Sequence, residues 1–343
     1  MFSSKLDRMT RSIRARSLAL LGMTLCGAPL VAQAPDAATL SERLTRMTAV
    51  TGFERAALDS VQRLYSDAHR DRAGNVVVDR GQGAATLIVC PFDEVGYVVG
   101  GIRDDGWLTL RRVGARAPSA LFDQYLEGQR VTVWGRRGAL PAVVGVRSTH
   151  LTRGRTTNDA PFTVDDAFVD IGASSAAEVR AAGVGVLDPV ARMKETTRYG
   201  TDLLAGPSSG RRSACAALAA ASVQGSIAAP GRIVVAFAVE QEQGQRGLRT
   251  LMNNAGPFAR TIIVDGAAGA AGTVAERSDT TASRLFPRLG AVSRLTLPTR
   301  NTGTPVETVS LADVDTLRAR ITTVIAGGGR GESVVGGRWS VDF

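Results

Sequence analysis

Arg232-Ile233-Val234-Val235-Ala236-Phe237-Ala238-Val239-Glu240-Gln241-Glu242-Gln243-Gly244-Gln245-Arg246-Gly247 is the stretch on which the fold turns. Ile233 to Val239 is an unbroken apolar run rich in β-branched residues, the pattern of a strand buried on both faces of an α/β sheet. The run then breaks into Glu240, Gln241, Glu242, Gln243 and Gly244. Acidic and amide side chains at the end of a buried strand lie where open α/β sheets carry chemistry, outside the carboxyl edge.

Around this stretch the chain is ordinary globular material: 343 residues, 44% hydrophobic and 21% charged, enough for two domains and a sizeable core. That composition excludes a disordered or fibrous protein. Residues 1–17 hold Lys5, Arg8, Arg11, Arg14 and Arg16 against one acid, Asp7, and an apolar stretch from Leu18 to Ala32 follows. This predicts a secretory signal peptide over 1–34, cut after Ala32 or Ala34, with an uncleaved membrane anchor as the alternative. Leu25 before Cys26 argues against a lipoprotein. The formal charge is +9, and losing five bases and one acid lowers it by four to +5. An excess spread without Lys/Arg blocks reads as a solvated basic surface, and no nucleic-acid partner is expected. Cys90 and Cys215 remain; export permits a disulfide between them, but two buried thiols are the default reading.

Working outward, apolar residues at Leu40, Leu44, Met47, Val50, Ala57, Leu58, Val61 and Leu64 show helical spacing, interrupted by Thr51-Gly52-Phe53-Glu54. Asp71 to Asp79 alternates as a strand. Thr86 to Cys90 is a second buried strand, followed by Pro91-Phe92-Asp93-Glu94-Val95-Gly96-Tyr97. From Gly96 to about Val190 short alternating strands appear, such as 107–111, 129–134, 142–146 and 168–171, which predict a small barrel or sandwich. Thr261 to Val264 is a further buried strand ending in Asp265-Gly266. Ser310 with Asp313 opens a helix whose apolar face is Leu311, Val314, Leu317 and Ile321. Gly327-Gly328-Gly329 starts a tail in which Trp339, Val341 and Phe343 alternate, as in a strand docked on the protein's own edge or added to a partner.

In this order, from Leu40 to Ile325, these elements and the Glu-Gln-Glu-Gln-Gly turn resemble the glutamyl aminopeptidase, or tetrahedral aminopeptidase, family of two-zinc metallopeptidases. The resemblance implies an α/β fold: a mixed sheet flanked by helices, with an inserted small β-barrel domain. The implied segments are 36–94 and 192–326 for the α/β domain, 95–191 for the insert and 327–343 for a Gly-rich tail. In the family the insert mediates dimerisation, so a homo-oligomer is expected.

The same resemblance places the family's functional positions on this chain. The family's zinc-binding His in a His-Met-Asp-Glu-Ile-Gly turn is Pro91 here, while Asp93, which orients that His, is kept. The general-base position is Gln241 and the adjacent ligand is Glu242. Aligning on Arg212 and on Cys215 to Leu218 puts Gly210 at the bridging Asp and Arg211 beside it. Asp265 is a retained ligand. In the well-matched 297–307 segment, Leu-Pro-Thr-Arg-Asn-Thr-Gly-Thr-Pro-Val-Glu, the zinc-binding His is Gly303. Ala267 to Arg294 reads as a short connection lacking the family's substrate loop.

Proline and glycine offer no donor atom, a neutral amide takes no proton from a metal-bound water, and Arg211 brings a fixed positive charge. What remains is two exposed carboxylates, Glu242 and Asp265, too few for zinc. The histidines of the mature chain are His69, read at a helix end, and His150, read as structural. The expectation is therefore a secreted, catalytically inactive relative that holds no zinc and has a binding or scaffolding role toward an unidentified protein or peptide. The alternative is a metal-dependent aminopeptidase with a rebuilt site. Cys90 precedes the lost His position and Cys215 follows the lost Asp, so both are expected beside the vacated metal site, and a disulfide there, a local staple in place of zinc, is the alternative to two buried thiols.

Overall fold

The structure is a computed structural model and describes residues 36–114, 119–146, 160–223 and 231–327. The signal peptide, Cys26, His150 and the tail beyond residue 327 lie outside the described residues.

The chain opens with α1 (Ala37–Thr45) and α2 (Arg55–Gln62), then β1 (His69–Arg70), β2 (Val76–Arg80) and β3 (Ala85–Pro91). Six strands follow, β4 (Gly96–Ile102), β5 (Leu108–Val113), β6 (Arg130–Gly135), β7 (Gly138–Val144), β8 (Phe168–Asp170) and, after α3 (Ala176–Ala181), β9 (Pro189–Arg192). Next come β10 (Thr197–Tyr199), β11 (Leu203–Ala205), α4 (Ser209–Ser222), β12 (Arg232–Ala238), α5 (Arg246–Asn254) and β13 (Arg260–Ala268). The described chain ends with β14 (Ala275–Ser278), α6 (Thr280–Leu285), β15 (Ala291–Thr299), β16 (Thr308–Ser310) and α7 (Leu311–Ile325).

A seven-stranded mixed sheet has the order β1-β2-β12-β3-β13-β15-β14, in which β12, β3, β13 and β15 run parallel. The 232–247 stretch thus supplies a strand flanked on both sides, and Val234 and Val235 belong to different cores. One core lies under α1, α4 and α7 and holds Leu44, Phe92, Leu218, Phe237 and Leu317. The other lies under α5 and holds Leu87, Ala236, Leu251, Phe258 and Ile263. Between β3 and the rest of this sheet, β4 to β9 close into a barrel with its own core of Tyr97, Leu108, Leu126, Val133, Val169 and Val190. A third sheet, β10-β11-β16, is small.

Several local expectations change. His69 lies in β1 and not at a helix end, paired with Val77. In β2, Val76 to Val78 are all buried instead of alternating, because both faces of that strand are covered. The strand carrying Asp265 runs on to Ala268, since β15 pairs with it over its full length. Residues 267–294 fold into the edge strand β14 and α6 instead of forming a plain connection. The predicted cap is present: Asp313 N donates to Ser310 Oγ at 3.3 Å.

Candidate functional site

The parallel strands end on one edge, and the turns that leave them converge there with the start of α4. α4 reads Ser-Gly-Arg-Arg-Ser-Ala-Cys-Ala-Ala-Leu-Ala-Ala-Ala-Ser and is buried along most of its length. Its small side chains let the helix approach the sheet closely: a β-carbon on Gly266 would lie 2.5 Å from the Gly210 carbonyl carbon. Cys90, near the end of β3, is joined to Cys215 of α4 by a disulfide with a Cα–Cα distance of 5.5 Å.

The positions expected to be short of ligands are reshaped as well as substituted. Pro91 is a paired residue of β3, opposite Ala238. A β-carbon on Gly210 would lie 2.4 Å from Thr299 Oγ1, so an aspartate there has no room until Thr299 moves. Gly303 has φ +74°, left-handed backbone that non-glycine residues adopt uncommonly. The Gly303 and Gly210 amides both donate to Glu307, at 2.8 and 3.3 Å. Burial pushes the Glu307 carboxyl up from its ordinary range, against the pull of these two amides.

Glu242 and Asp265 come together, as the sequence suggested, but not as exposed carboxylates. Each side chain is only about a fifth exposed, 22% and 20%. Both are held by Arg211, whose Nη1 lies 3.0 Å from Glu242 Oε1 and whose Nε and Nη2 lie 3.1 and 3.2 Å from the two Asp265 oxygens. The same guanidinium donates to the Asp93 carbonyl at 2.8 Å. Asp93 is fully buried, and its Oδ2 accepts from Glu242 N at 2.9 Å. Burial alone would lower the pKa of Arg211, but Asp265, Asp93 and Glu242 more than reverse this. Arg211 thus lies among the retained carboxylates as a permanent monocation. Gln241 sits in the turn after β12, its carbonyl accepting from Gln245 N at 3.2 Å.

A second buried charge group lies beside the first, and sequence reasoning missed it. Glu94 accepts from Ala49 N at 3.1 Å, from Ser208 Oγ at 2.7 Å and from Lys194, and it pairs with Arg212 at 3.4 Å. Burial by itself would raise the Glu94 pKa, yet Lys194 and Arg212 bring it down to about 2. Lys194 is pushed below its usual value, first by burial and then by Arg212, because the two cations share one carboxylate. Arg212 is completely buried, lies 4.3 Å over the Phe92 ring and donates to the Phe92 carbonyl. A signal for this group was present: Lys5 and Lys194 are the chain's two lysines among many arginines.

The residues present do not fit a two-zinc centre. Such a site needs three or four converging donors per ion. Here Arg211 engages one oxygen of Glu242 and both of Asp265, and the side chains at 91, 210 and 303, where the resemblance places further ligands, offer no donor atom. Among the described residues no group of three His, Cys, Asp or Glu side chains is placed to hold a metal ion.

The M42 glutamyl aminopeptidase family profile matches residues 74–285. A 183-residue stretch is 30% identical to the candidate aminopeptidase SgcX of Escherichia coli, covering 51% of this chain and 48% of that one. The lysyl aminopeptidase of Pyrococcus furiosus is 25% identical over 227 residues, 60% of this chain and 64% of its own length. The chain therefore spans about half to two thirds of the length of these relatives. Among solved structures, the TET1 peptidase of Pyrococcus horikoshii superposes with a TM-score of 0.72 at 22% identity, over 84% of this chain and 99% of that one. That peptidase can assemble into a tetrahedron or a large octahedral shell. At this identity the likeness speaks to fold alone.

Proposed function

The chain belongs to the M42 glutamyl aminopeptidase family, and we propose that within it this protein has given up metal-dependent peptide hydrolysis and acts as an exported binding or scaffolding protein. The observation that carries this reading is Arg211 on Glu242 and Asp265. Two-metal hydrolysis needs cations with open coordination positions that generate hydroxide and polarise a carbonyl. A guanidinium has no coordination position to open and does not exchange protons near neutral pH. Gln241, an amide, adds no base.

The test is the zinc content of the purified protein, by elemental mass spectrometry after dialysis against zinc and then buffer. We expect less than about a tenth of a zinc per chain, and no chelator-sensitive release of p-nitroaniline from aminoacyl p-nitroanilides. One or two retained zincs with such activity would replace this reading by the alternative, a metal-dependent aminopeptidase with a rebuilt site. That alternative is favoured by the retained Asp93, Glu242 and Asp265 and by relatives named as aminopeptidases. It requires Arg211 to leave both carboxylates.

Export is supported by the basic and apolar leader and by the buried Cys90–Cys215 disulfide, a bond that persists in oxidising compartments. Homo-oligomerisation, which we place at the barrel, is supported as such by the assembly of the Pyrococcus horikoshii peptidase. Light scattering on protein recovered from the periplasm or medium tests both. A protein confined to the cytoplasm removes the first, and the mass of a single mature chain removes the second.

A further inference from the structure

Arg192, the last residue of β9, lies where two hollows meet. The inner one is a cavity of about 40 Å³ lined by Glu94, Lys194, Ser208, Thr304 and Glu307 as well as Arg192. The outer one is a groove of about 200 Å³ that shares Arg192 and Pro207 with it and continues over Met193, Thr197, Pro305 and Val306. Every other cation of this region has a carboxylate: Lys194 and Arg212 have Glu94, Arg211 has Glu242 and Asp265, and Arg130 has Glu195. Arg192 pairs with none among the described residues. It lies 4.7 Å over the Phe122 ring and makes one long bond, 3.5 Å, to the Phe122 carbonyl. A mostly buried guanidinium stacked on one face keeps its planar edge for an anion, and the partner that matches that edge in two parallel bonds is a carboxylate.

The surroundings narrow the ligand further. Glu94 and Glu307 line the inner cavity, which disfavours a dianion such as phosphate beside them. The outer groove is apolar on Met193, Pro207, Pro305 and Val306, and Val306 is 56% exposed. Thr197 belongs to β10, an edge strand of the three-stranded sheet among the described residues, and an edge strand offers its backbone to a main chain running along it.

We propose that the groove and cavity form one site for the C-terminal end of an extended peptide, its carboxylate on Arg192 and its last, apolar side chain against Met193 and Val306. This deepens the binding role proposed above by naming the chemistry of the partner.

The experiment is calorimetric titration of the full-length protein with N-acetyl-Ala-Ala-Leu as the free acid and as the C-terminal amide. The acetyl group blocks aminopeptidase attack, so the result does not depend on whether the metal site works. The free acid is expected to bind at least tenfold more tightly than the amide. Arg192→Gln is expected to remove that difference, and Val306→Glu, at an exposed position, to weaken the free acid at least tenfold without shifting the melting temperature. Equal binding of acid and amide, binding of neither, or full binding by Arg192→Gln overturns the proposal. Binding of free leucine as tight as that of the acetylated peptide overturns it in favour of an amino-acid pocket.

Discussion

An Arg211→Met protein is expected to be on the order of 3 kcal/mol less stable than the parent and to melt roughly 5–10 °C lower. The substitution keeps an unbranched apolar stem and removes the guanidinium with its charge and hydrogen bonds. It leaves Glu242, Asp265 and Asp93 close together, mostly buried, with no cation among them. Removing one partner of a buried ion pair costs about 3–5 kcal/mol, chiefly through the uncompensated charge left behind. The lower end applies because a fifth of each pairing carboxylate reaches solvent. Arg211→Lys is expected to recover part of the loss, since an ammonium restores charge without reaching both carboxylates and the Asp93 carbonyl together. A divalent cation gives the diagnostic readout. Millimolar calcium or zinc is expected to raise the melting temperature of Arg211→Met, where the carboxylates are released, and to leave the parent unmoved. Parent-like stability in Arg211→Met, or an equal cation response in both proteins, would show that the guanidinium does not hold the site.

Much of this arrangement was legible one strand at a time. The run Ile233 to Val239 announces a strand covered on both faces, and it lies between β2 and β3. That Pro91, Gly210 and Gly303 carry no donor atom is also visible residue by residue, because such a side chain cannot ligate in any fold. Three things were not legible, each for a physical reason. Arg211 reads in sequence only as a charge near an empty place, and its partners lie 31 and 54 positions away along the chain. The burial of Lys194 depends on the barrel closing beside α4, which no local pattern encodes. The extension of β13 past Asp265 comes from nine-residue pairing with β15, whereas periodicity sees only the apolar part of the strand. Glu94 illustrates the general difficulty. It follows Asp93 directly in the sequence, yet Asp93 turns toward Glu242 while Glu94 turns toward Lys194 and Arg212.

Replacing Cys90 and Cys215 together by alanine is expected to cost about 3–5 kcal/mol. The bond closes a loop of 125 residues that contains the entire barrel. In the chain-entropy account a loop of that size restricts the unfolded state by about 5 kcal/mol at 25 °C, which strain or residual unfolded structure reduces. Position on the helix adds a second consequence. Arg211 and Cys215 are four residues apart on α4 and so share one face, the face that meets the ends of β3 and β13. The disulfide fixes the end of β3 to α4, and the Asp93 carbonyl that receives Arg211 lies three residues beyond Cys90. Loosening the strand end therefore weakens the Arg211 contacts, and the two losses are not independent. In urea unfolding of the parent, the double alanine protein, Arg211→Met and their combination, the combined loss is expected to fall short of the sum by at least about 0.5 kcal/mol. Strict additivity would mean that the ion pairs hold without the covalent tie. An unchanged midpoint in the double alanine protein would mean that the sheet alone positions α4. The predicted shortfall instead makes the disulfide and the arginine two parts of one fastening, at the edge where the resemblance places the family's metals.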